Sequence, residues 1–309
     1  MRVVLLGGSG FIGTNVALGL KNNGYEVVVL DRVPAAVFES AGIDFVACDY
    51  VSGTGIEDVI REGDCVIHLV STSLPNMSNQ NILGDAENNL IPSIKLFDVC
   101  IKNKASKIIY ASSGGQVYGI PEQTPIDENH PTNPQSAYGI HKLAVEKYLM
   151  LYSKLYDIKV NIMRISNPYG PGQQPFRGQG VISTFIASSY MDKTVEIWGD
   201  GKAVRDYIYI DDLVDAFVKT VDYAGCEQVF NVGSGEGSSV LDILTSVENA
   251  TCKTITRQFI EAKSADVNIN VLNCDKAQKE LGWRAKISLD IGVEKMTKYW
   301  NEETKEFQF

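Results

Sequence analysis

Near its amino terminus the sequence joins a short apolar run to a cluster of glycines, Val3-Val4-Leu5-Leu6-Gly7-Gly8-Ser9-Gly10-Phe11-Ile12-Gly13. The apolar run is typical of a buried parallel strand. After the glycines, Ile12, Val16 and Leu20 recur at helical spacing, which predicts a helix from Phe11. Glycines let the backbone approach a ligand closely, and the first turn of a helix offers free N–H groups to a phosphate. The stretch therefore predicts a strand, a phosphate-binding turn and a helix.

Asp31 directly follows the next apolar run, which spans residues 26–30. A carboxylate at the end of the second strand accepts both hydroxyls of a ribose and repels a 2′-phosphate, so this pattern predicts NAD as the cofactor. Arg32 leaves NADP open, because an arginine here could hold the additional phosphate. Asp49 follows the third predicted strand and is placed to reach the adenine, or else is a surface-loop acid. The residues of the turn that we expect at the cofactor are Gly7, Gly10, Phe11, Ile12 and Gly13.

Strand and helix patterns alternate through the first half of the chain. The predicted strands span residues 3–6, 26–30, 43–47, 65–70, 107–111 and 159–163, and the predicted helices 11–23, 85–103 and 137–156. Beyond Arg164 a Pro-, Gly- and Gln-rich loop precedes shorter, mixed elements, with helices at 211–223, 238–249 and 289–303. This predicts an α/β fold, with a doubly wound parallel sheet and a second, smaller mixed α/β lobe. We place the cofactor domain at 1–165 plus about 206–232, and the substrate lobe at about 166–205 plus 233–309.

Composition excludes several classes of protein. The chain has 309 residues, of which 44% are hydrophobic and 21% charged, as in ordinary globular proteins. Its net charge of -10 disfavours nucleic acid as a partner. We expect no membrane span and no signal peptide, because the apolar runs are short. The six cysteines form no CxxC pair and the three histidines lack ligand spacing, which indicates a cytoplasmic protein without a metal site.

Tyr138 and Lys142 are four residues apart on a predicted helix and therefore share a face. A phenol is a poor base at neutral pH, because its ordinary pKa is near 10. A nearby ammonium and a positively charged nicotinamide ring would stabilise the phenolate and lower that pKa. Ser112 and Ser113 end a predicted strand, the part of a parallel sheet that usually carries its chemistry, although they could also only cap the strand. The pattern predicts a site for proton transfer beside the cofactor.

These motifs resemble those of the extended short-chain dehydrogenase/reductase family, and within it the nucleotide-sugar epimerases of the UDP-glucose 4-epimerase type. The resemblance covers almost the whole chain. Its two most specific blocks are Asn167-Pro168-Tyr169-Gly170-Pro171 and Arg205-Asp206-Tyr207-Ile208-Tyr209. The other matching positions are Gly7 to Gly13, Asp31, Leu69, Asn89, 112–119, Tyr138 with Lys142, Asn231-Val232-Gly233 and Leu281-Gly282-Trp283. The resemblance implies a Rossmann-type domain that binds NAD.

The resemblance also implies binding roles outside the glycine turn. Asn167 and Arg205 would hold the diphosphate and sugar of a nucleotide-sugar. For Arg205 a surface salt bridge with Asp206 or Asp211 is the alternative. The further residues that the resemblance places at the cofactor are Leu69, Asn89, Ser112, Tyr138 and Lys142.

Lys263 stands where the family usually has the arginine of an Arg-Pro-Gly-Asp string, with Asp266 as the final acid. A lysine keeps the charge but loses the two-pronged grip on phosphate, and a solvated surface lysine is the alternative interpretation. By spacing from Asp266, Asn270 falls where the family places the residue beside the 2-substituent of the sugar. Because asparagine is smaller than the tyrosine that favours plain hexoses, this position favours UDP-N-acetylglucosamine as an additional substrate.

Two departures from the family pattern limit the chemistry. The catalytic serine or threonine of the family falls at Gly114, so that Ser113 or a water would have to take over its hydrogen bond. The 4,6-dehydratases carry Asp-Glu in place of Gly115-Gln116, and without these carboxylates a dehydratase is disfavoured. The same absence disfavours the sugar-acid decarboxylases.

The implied reaction is C4 epimerisation of a UDP-sugar. Tyr138 would take the proton of the 4-hydroxyl, with Lys142 and Ser113 assisting, and a transient 4-keto sugar would turn over before it is reduced again. A 4-keto-sugar reductase or dehydrogenase of the same family is the alternative, and a non-catalytic NAD-binding module is the second. In this family the helices predicted at 85–103 and 137–156 form a four-helix interface, which implies a homodimer.

Overall fold

The computed structural model describes residues 1–261 and 267–306. Its strands are β1 (Arg2–Leu6), β2 (Glu26–Asp31), β3 (Asp44–Ala47), β4 (Cys65–His68), β5 (Lys107–Ser113), β6 (Lys159–Ile165), β7 (Asn167–Tyr169), β8 (Val195–Trp198), β9 (Val204–Tyr209), β10 (Val229–Val232), β11 (Gly237–Ser239), β12 (Arg257–Ile260) and β13 (Ile269–Asn270). Its α-helices are α1 (Phe11–Asn22), α2 (Val37–Ala41), α3 (Pro75–Ser78), α4 (Ile82–Asp85), α5 (Ile91–Lys102), α6 (Ala137–Tyr156), α7 (Val181–Met191), α8 (Ile210–Asp222), α9 (Val240–Thr251), α10 (Asp275–Leu281) and α11 (Leu289–Glu306). A π-helix, Ala86–Leu90, connects α4 to α5.

The main sheet has seven strands in the order β3-β2-β1-β4-β5-β6-β10. All its neighbouring strands are parallel, as continuous apolar runs predict. The strand order changes direction between β1 and β4, where Leu6 pairs with Leu30 on one side and with His68 on the other. In such sheets the crevice beyond the carboxyl ends at this switch point is where ligands bind. The glycine turn, residues 7–13, begins there.

Both faces of the main sheet are covered. Val3 and Leu5 of β1 pack in one core cluster with α1 and α8, whereas Val4 and Leu6 pack in another with α5 and α6. This alternation follows from the period of two in a strand, and it confirms the predicted doubly wound sheet. Within the described ranges no helix is both long and apolar enough to cross a membrane.

Smaller sheets lie beyond the carboxyl edge of the main sheet. Strand β9 pairs with β7 and β13 in parallel and with β11 in antiparallel, and β8 pairs with β12. Helices α7, α9 and α11 contact one another beside these strands. The predicted smaller, mixed α/β part is confirmed. The chain returns from it to the main sheet through β10, which pairs with β6.

The prediction of one regular α-helix at 85–103 is wrong. The structure has the end of α4, then the π-helix, then α5. Pro92 lies in the first turn of α5, where its missing N–H costs least, so the α-helical pattern starts again there. Short π-helical segments inside helices occur frequently at functional sites.

Candidate active site

The glycine turn is packed so closely that side chains are excluded at two of its positions. Gly7 has φ +79°, and a Cβ at Gly13 would lie 2.3 Å from the carbonyl oxygen of Gly7. Helix α1 begins directly after Gly10, which has no side chain to cap the first turn. A Cβ at Gly10 would meet only the Gly7 oxygen, at 3.7 Å, so the space before the helix is open. The turn therefore offers backbone N–H groups and a helix dipole to an anion.

Asp31 is held beside this turn. Its carboxylate accepts hydrogen bonds from the backbone N–H of Ser9 at 3.0 Å and of Arg32 at 2.7 Å. The Arg32 side chain is exposed, and Asp49 is an exposed residue whose Oδ1 accepts from the Val51 N–H. Asp31 therefore lies at the end of the second strand, where a carboxylate would accept the hydroxyls of a ribose, and next to the predicted phosphate-binding turn.

Tyr138, Lys142 and Glu146 form one stripe along α6, because residues four apart share a helix face. The helix starts at Ser136, whose Oγ accepts from the Gly139 N–H at 3.1 Å. Lys142 is 3% exposed and donates from Nζ to the carbonyl oxygen of Ala111 at 2.8 Å. Its Nζ lies 5.6 Å from the centroid of the Tyr138 ring. The predicted Tyr–Lys pair is thus brought to the carboxyl end of β5.

Burial controls the proton affinities of this pair. The pKa of Tyr138 is raised to about 12, mainly by desolvation and also by Asp85, while a hydrogen bond with Ser71 acts in the opposite direction. The pKa of Lys142 is lowered to about 8 by desolvation, which the charges of Glu146 and Asp85 oppose. In the protein alone the pKa of Tyr138 is therefore above its ordinary value, and its expected lowering by Lys142 together with the nicotinamide ring stays a prediction. At pH 7 the lysine is still a cation, since its pKa stays above that pH.

Ser112 is engaged in a buried ion-pair cluster. Its hydroxyl donates to Glu146 Oε1 at 2.5 Å, and Arg164 Nη2 lies 2.7 Å from Glu146 Oε2. Arg164 also donates to the Tyr118 hydroxyl at 3.0 Å. These contacts connect β5, α6 and β6, so the strand-capping interpretation fits Ser112. Sequence reasoning missed Glu146 and Arg164, although an acid four residues beyond Lys142 and an arginine inside an apolar strand were available signals.

Ser113 and Gly114 lie at the end of β5, beside Asn270. The hydroxyl of Ser113 makes no hydrogen bond within the described part of the chain, and the residue is half-buried. At Gly114 a Cβ would lie 2.6 Å from Leu272 Cδ1 and 3.1 Å from the Arg164 carbonyl oxygen. Leu272, which the sequence did not single out, is fully buried and occupies the volume that a side chain at 114 would need. The hydroxyl that remains at this strand end is that of Ser113.

Some of the residues predicted to bind substrate lie close together in the structure. Asn270 lies opposite Arg205 in the β13–β9 pair, and its Nδ2 donates to the Gly114 carbonyl oxygen at 3.3 Å. Its Oδ1 is buried with no partner among the described residues. Asn167 Nδ2 donates to the backbone oxygen of Asp206 at 2.8 Å, and Arg205 donates to its neighbour Val204 and has a further interaction. Lys263 and Asp266 lie outside the described residues.

Leu69 and Asn89 support the walls of this site. Leu69 directly follows β4 and donates its N–H to Leu6 at 3.0 Å. Asn89, in the π-helix, is 3% exposed; its Oδ1 accepts from the N–H of Thr72 at 2.8 Å and its Nδ2 donates to the carbonyl oxygen of Asp85 at 2.9 Å. The side chain of Asn89 therefore fixes the loop after β4.

Comparison with known proteins assigns this arrangement to a family. The model of the NAD dependent epimerase/dehydratase family matches residues 3–233. This chain belongs to that family. The predicted resemblance is thereby confirmed, and NAD is the cofactor of the family.

Two relatives and one solved structure match almost the whole length of this chain. A UDP-glucose 4-epimerase of Mycolicibacterium smegmatis is 31% identical, with 99% of this chain and 100% of the relative covered. A dTDP-4-dehydro-6-deoxyglucose reductase of Escherichia coli is 33% identical, with 96% of each chain covered. The crystal structure of the Thermotoga maritima UDP-glucose 4-epimerase with UDP-glucose has a TM-score of 0.92 and 31% identity, over 98% of this chain and all of that chain.

The turn of this NAD-dependent family member fits the cofactor in three respects. Gly7 and Gly13 leave no room for side chains, Asp31 lies beside the turn, and the Ser9 hydroxyl is buried without a partner among the described residues. An unsatisfied donor next to a helix N-terminus suits a phosphate oxygen. The residues present are therefore those that a dinucleotide needs.

Gly114→Ser is expected to destabilise the protein by about 1–3 kcal/mol, because the added side chain must displace Leu272 or the strand backbone. Urea unfolding measures this loss. Gly115→Ser is the matched control, since a Cβ there meets only Ser113 Oγ, at 3.9 Å, and its cost should stay within about 0.5 kcal/mol. In a double-mutant cycle, Leu272→Ala should offset part of the cost of Gly114→Ser. Equal stability of the two serine variants would contradict this packing argument.

Proposed function

We propose that the protein is an NAD-dependent epimerase that interconverts UDP-glucose and UDP-galactose at C4 through a transient 4-keto sugar, and that it also accepts UDP-N-acetylglucosamine. The observation that carries this proposal is the pair of half-buried Tyr138 and buried Lys142 at the carboxyl end of β5, within a chain of this family. Full-length relatives that are named UDP-glucose 4-epimerase support the substrate.

The proton chemistry belongs to Tyr138. As the phenolate, Tyr138 takes the proton of the sugar 4-hydroxyl and becomes the phenol, which later returns that proton, so the residue is regenerated within one turnover. Lys142 remains a cation at pH 7 and is fixed by the Ala111 carbonyl oxygen, which keeps a positive charge near the phenol. Ser113 donates a hydrogen bond to the same sugar hydroxyl. NAD, held by the glycine turn and Asp31, supplies the hydride acceptor and donor and a positively charged ring.

Substrate binding is proposed for the smaller part of the fold. Asn167 and Arg205 hold the diphosphate and sugar, Lys263 and Asp266 complete the site, and Asn270 leaves room for a 2-acetamido group. The location of Asn270 supports this role, because it lies beside both Arg205 and Gly114.

The cofactor domain is proposed to comprise residues 1–165 and a second segment that ends near 232. Strand β10, which joins the main sheet, supports the end of that segment. The start predicted for the second segment, at about 206, falls inside β9 of the smaller sheet. We therefore propose that this segment begins at Ile210, where α8 begins.

A cytoplasmic location is proposed from the six cysteines, which form no CxxC pair. A homodimer is proposed from exposed apolar side chains on α4, α5 and α6. These side chains are Ile82, Leu83, Ile91, Ile140, Leu151, Leu155 and Tyr156. Groups of exposed apolar side chains are typical of protein interfaces. Sedimentation equilibrium would give the mass, and a monomer at micromolar concentration would contradict the proposal.

The function is tested by proton NMR of the purified protein without added cofactor, mixed separately with UDP-glucose and UDP-N-acetylglucosamine. Galacto-type anomeric signals that grow to a constant ratio are the expected result with both sugars. The 33% identical reductase makes a net reductase the second candidate. Turnover of a 4-keto sugar only with added reduced nicotinamide, and no change in either UDP-sugar, would favour the reductase and refute the epimerase.

A further inference from the structure

A buried pair of ionisable side chains lies directly behind the Tyr138–Lys142 pair. His141 is 4% exposed, and its Nδ1 lies 2.6 Å from Oδ2 of Asp85, which is 5% exposed. Burying two such groups is costly unless they are hydrogen-bonded to each other and to their surroundings. A leucine and an alanine would fill these positions without that cost, and nothing in the proposed proton chemistry uses either residue.

Asp85 connects α6 to the loop after β4. While Oδ2 faces His141, Oδ1 accepts a hydrogen bond from the hydroxyl of Ser73. The neighbouring Thr72 is fixed in turn by Asn89, whose Nδ2 donates to the Asp85 backbone. The carboxylate thus holds the loop of residues 71–73 and the imidazole of α6 in one buried network.

Tyr138 is in contact with this network. Its ring meets the His141 ring edge to face, with centroids 5.1 Å apart. The backbone N–H of Tyr138 donates to Ser78 Oγ at 3.1 Å, and that of Ala137 to Asn79 Oδ1 at 2.8 Å. The start of α6 is therefore anchored to the segment between β4 and the π-helix, in part through the buried Asp85–His141 contact.

We propose that Asp85 and His141 are positioning residues, which fix the phenol of Tyr138 through the edge-to-face contact between its ring and the imidazole. Neither side chain touches the reacting atoms, and both act through Tyr138. The inference rests on the proposed role of Tyr138 in proton transfer, and it is independent of which sugar is turned over.

The test compares two replacements of His141. In His141→Asn the amide N–H can still reach Asp85 from a position close to that of Nδ1, whereas in His141→Leu a side chain of similar bulk leaves no donor. We expect His141→Leu to lower kcat by about 10²-fold, the scale of a 1 Å misplacement, with KM and retained NAD unchanged. His141→Asn should recover most of that rate. Asp85→Asn, which keeps the shape of the carboxylate, should fall between wild type and His141→Leu.

A control and a second signal separate positioning from folding and from the proposed function. Tyr152→Phe removes another hydrogen bond between α5 and α6, from Tyr152 to Asp98 at 2.5 Å, and should leave kcat within about twofold. Fluorotyrosine at position 138 should show a shifted ¹⁹F signal in His141→Leu and a near-native one in His141→Asn, even if no sugar tested is epimerised. A kcat equal to that of wild type in every His141 and Asp85 variant would overturn the proposal. An equal loss of kcat in His141→Asn and His141→Leu would also overturn it.

Discussion

Replacing Tyr138 with phenylalanine should lower kcat by about 10²–10⁴-fold, the range for losing a positioned acid–base group. The phenol is the proton carrier that the site provides at the carboxyl end of β5, and Lys142 cannot replace it because its Nζ is held by the Ala111 carbonyl oxygen. NAD content should stay unchanged, since the glycine turn and Asp31 are untouched. The measurement is the rate of UDP-galactose formation at saturating UDP-glucose, with released NAD quantified after denaturation.

Tyr148→Phe is the matched control for this variant. It removes the same hydroxyl from the same helix, but from a side chain that is 39% exposed, and its kcat should equal that of wild type. Full turnover in Tyr138→Phe would refute the proton-transfer mechanism. Equal losses in both variants would show that the helix as a whole, rather than the phenol of Tyr138, had been disturbed.

Glu146→Ala should lower the free energy of unfolding by about 3–5 kcal/mol, because it leaves Arg164 charged and buried without its carboxylate. The hydroxyl of Ser112 loses its acceptor in the same variant. Arg164 does not avoid this cost by deprotonation, because the ordinary pKa of a guanidinium is about 12.5 or higher. Urea unfolding of the purified variants measures the effect.

Glu57→Ala is the control for this second substitution. Glu57 pairs with Lys102 on the surface, where the two side chains are 54% and 69% exposed, and such pairs contribute about 0–1 kcal/mol. Glu146→Leu combined with Arg164→Met should recover much of the lost stability, because apolar groups of similar size can replace a buried ion pair. A loss in Glu146→Ala no larger than that in Glu57→Ala would refute the buried-pair argument.

Six of the seven strands of the main sheet were predictable because each is a short apolar run bounded by turn residues, whereas β10 was not predicted. The glycine turn and Asp31 were predictable for a related reason, since both are defined by their place relative to a strand and a helix. The Tyr138–Lys142 pair followed from helical spacing alone. In each case the information lies within one stretch of sequence.

The rest of the site depends on contacts between distant stretches. Leu272 lies against Gly114 from the region after β13, and Asp85 contacts His141 from the end of α4. Periodicity describes which side of an element is buried, but it does not identify the side chain that packs against it. The pKa of Tyr138 could not be predicted for the same reason, because it depends on how much water the surrounding elements exclude.

The packing of Leu272 against Gly114 constrains the order in which these two positions can change during descent. A side chain at 114 and the leucine at 272 compete for the same volume, so a serine at 114 should be tolerated more easily once the residue at 272 is smaller. While the leucine is present, a serine at 114 alone carries the full cost of the overlap. The glycine is in this sense held in place by a residue far from it in the gene.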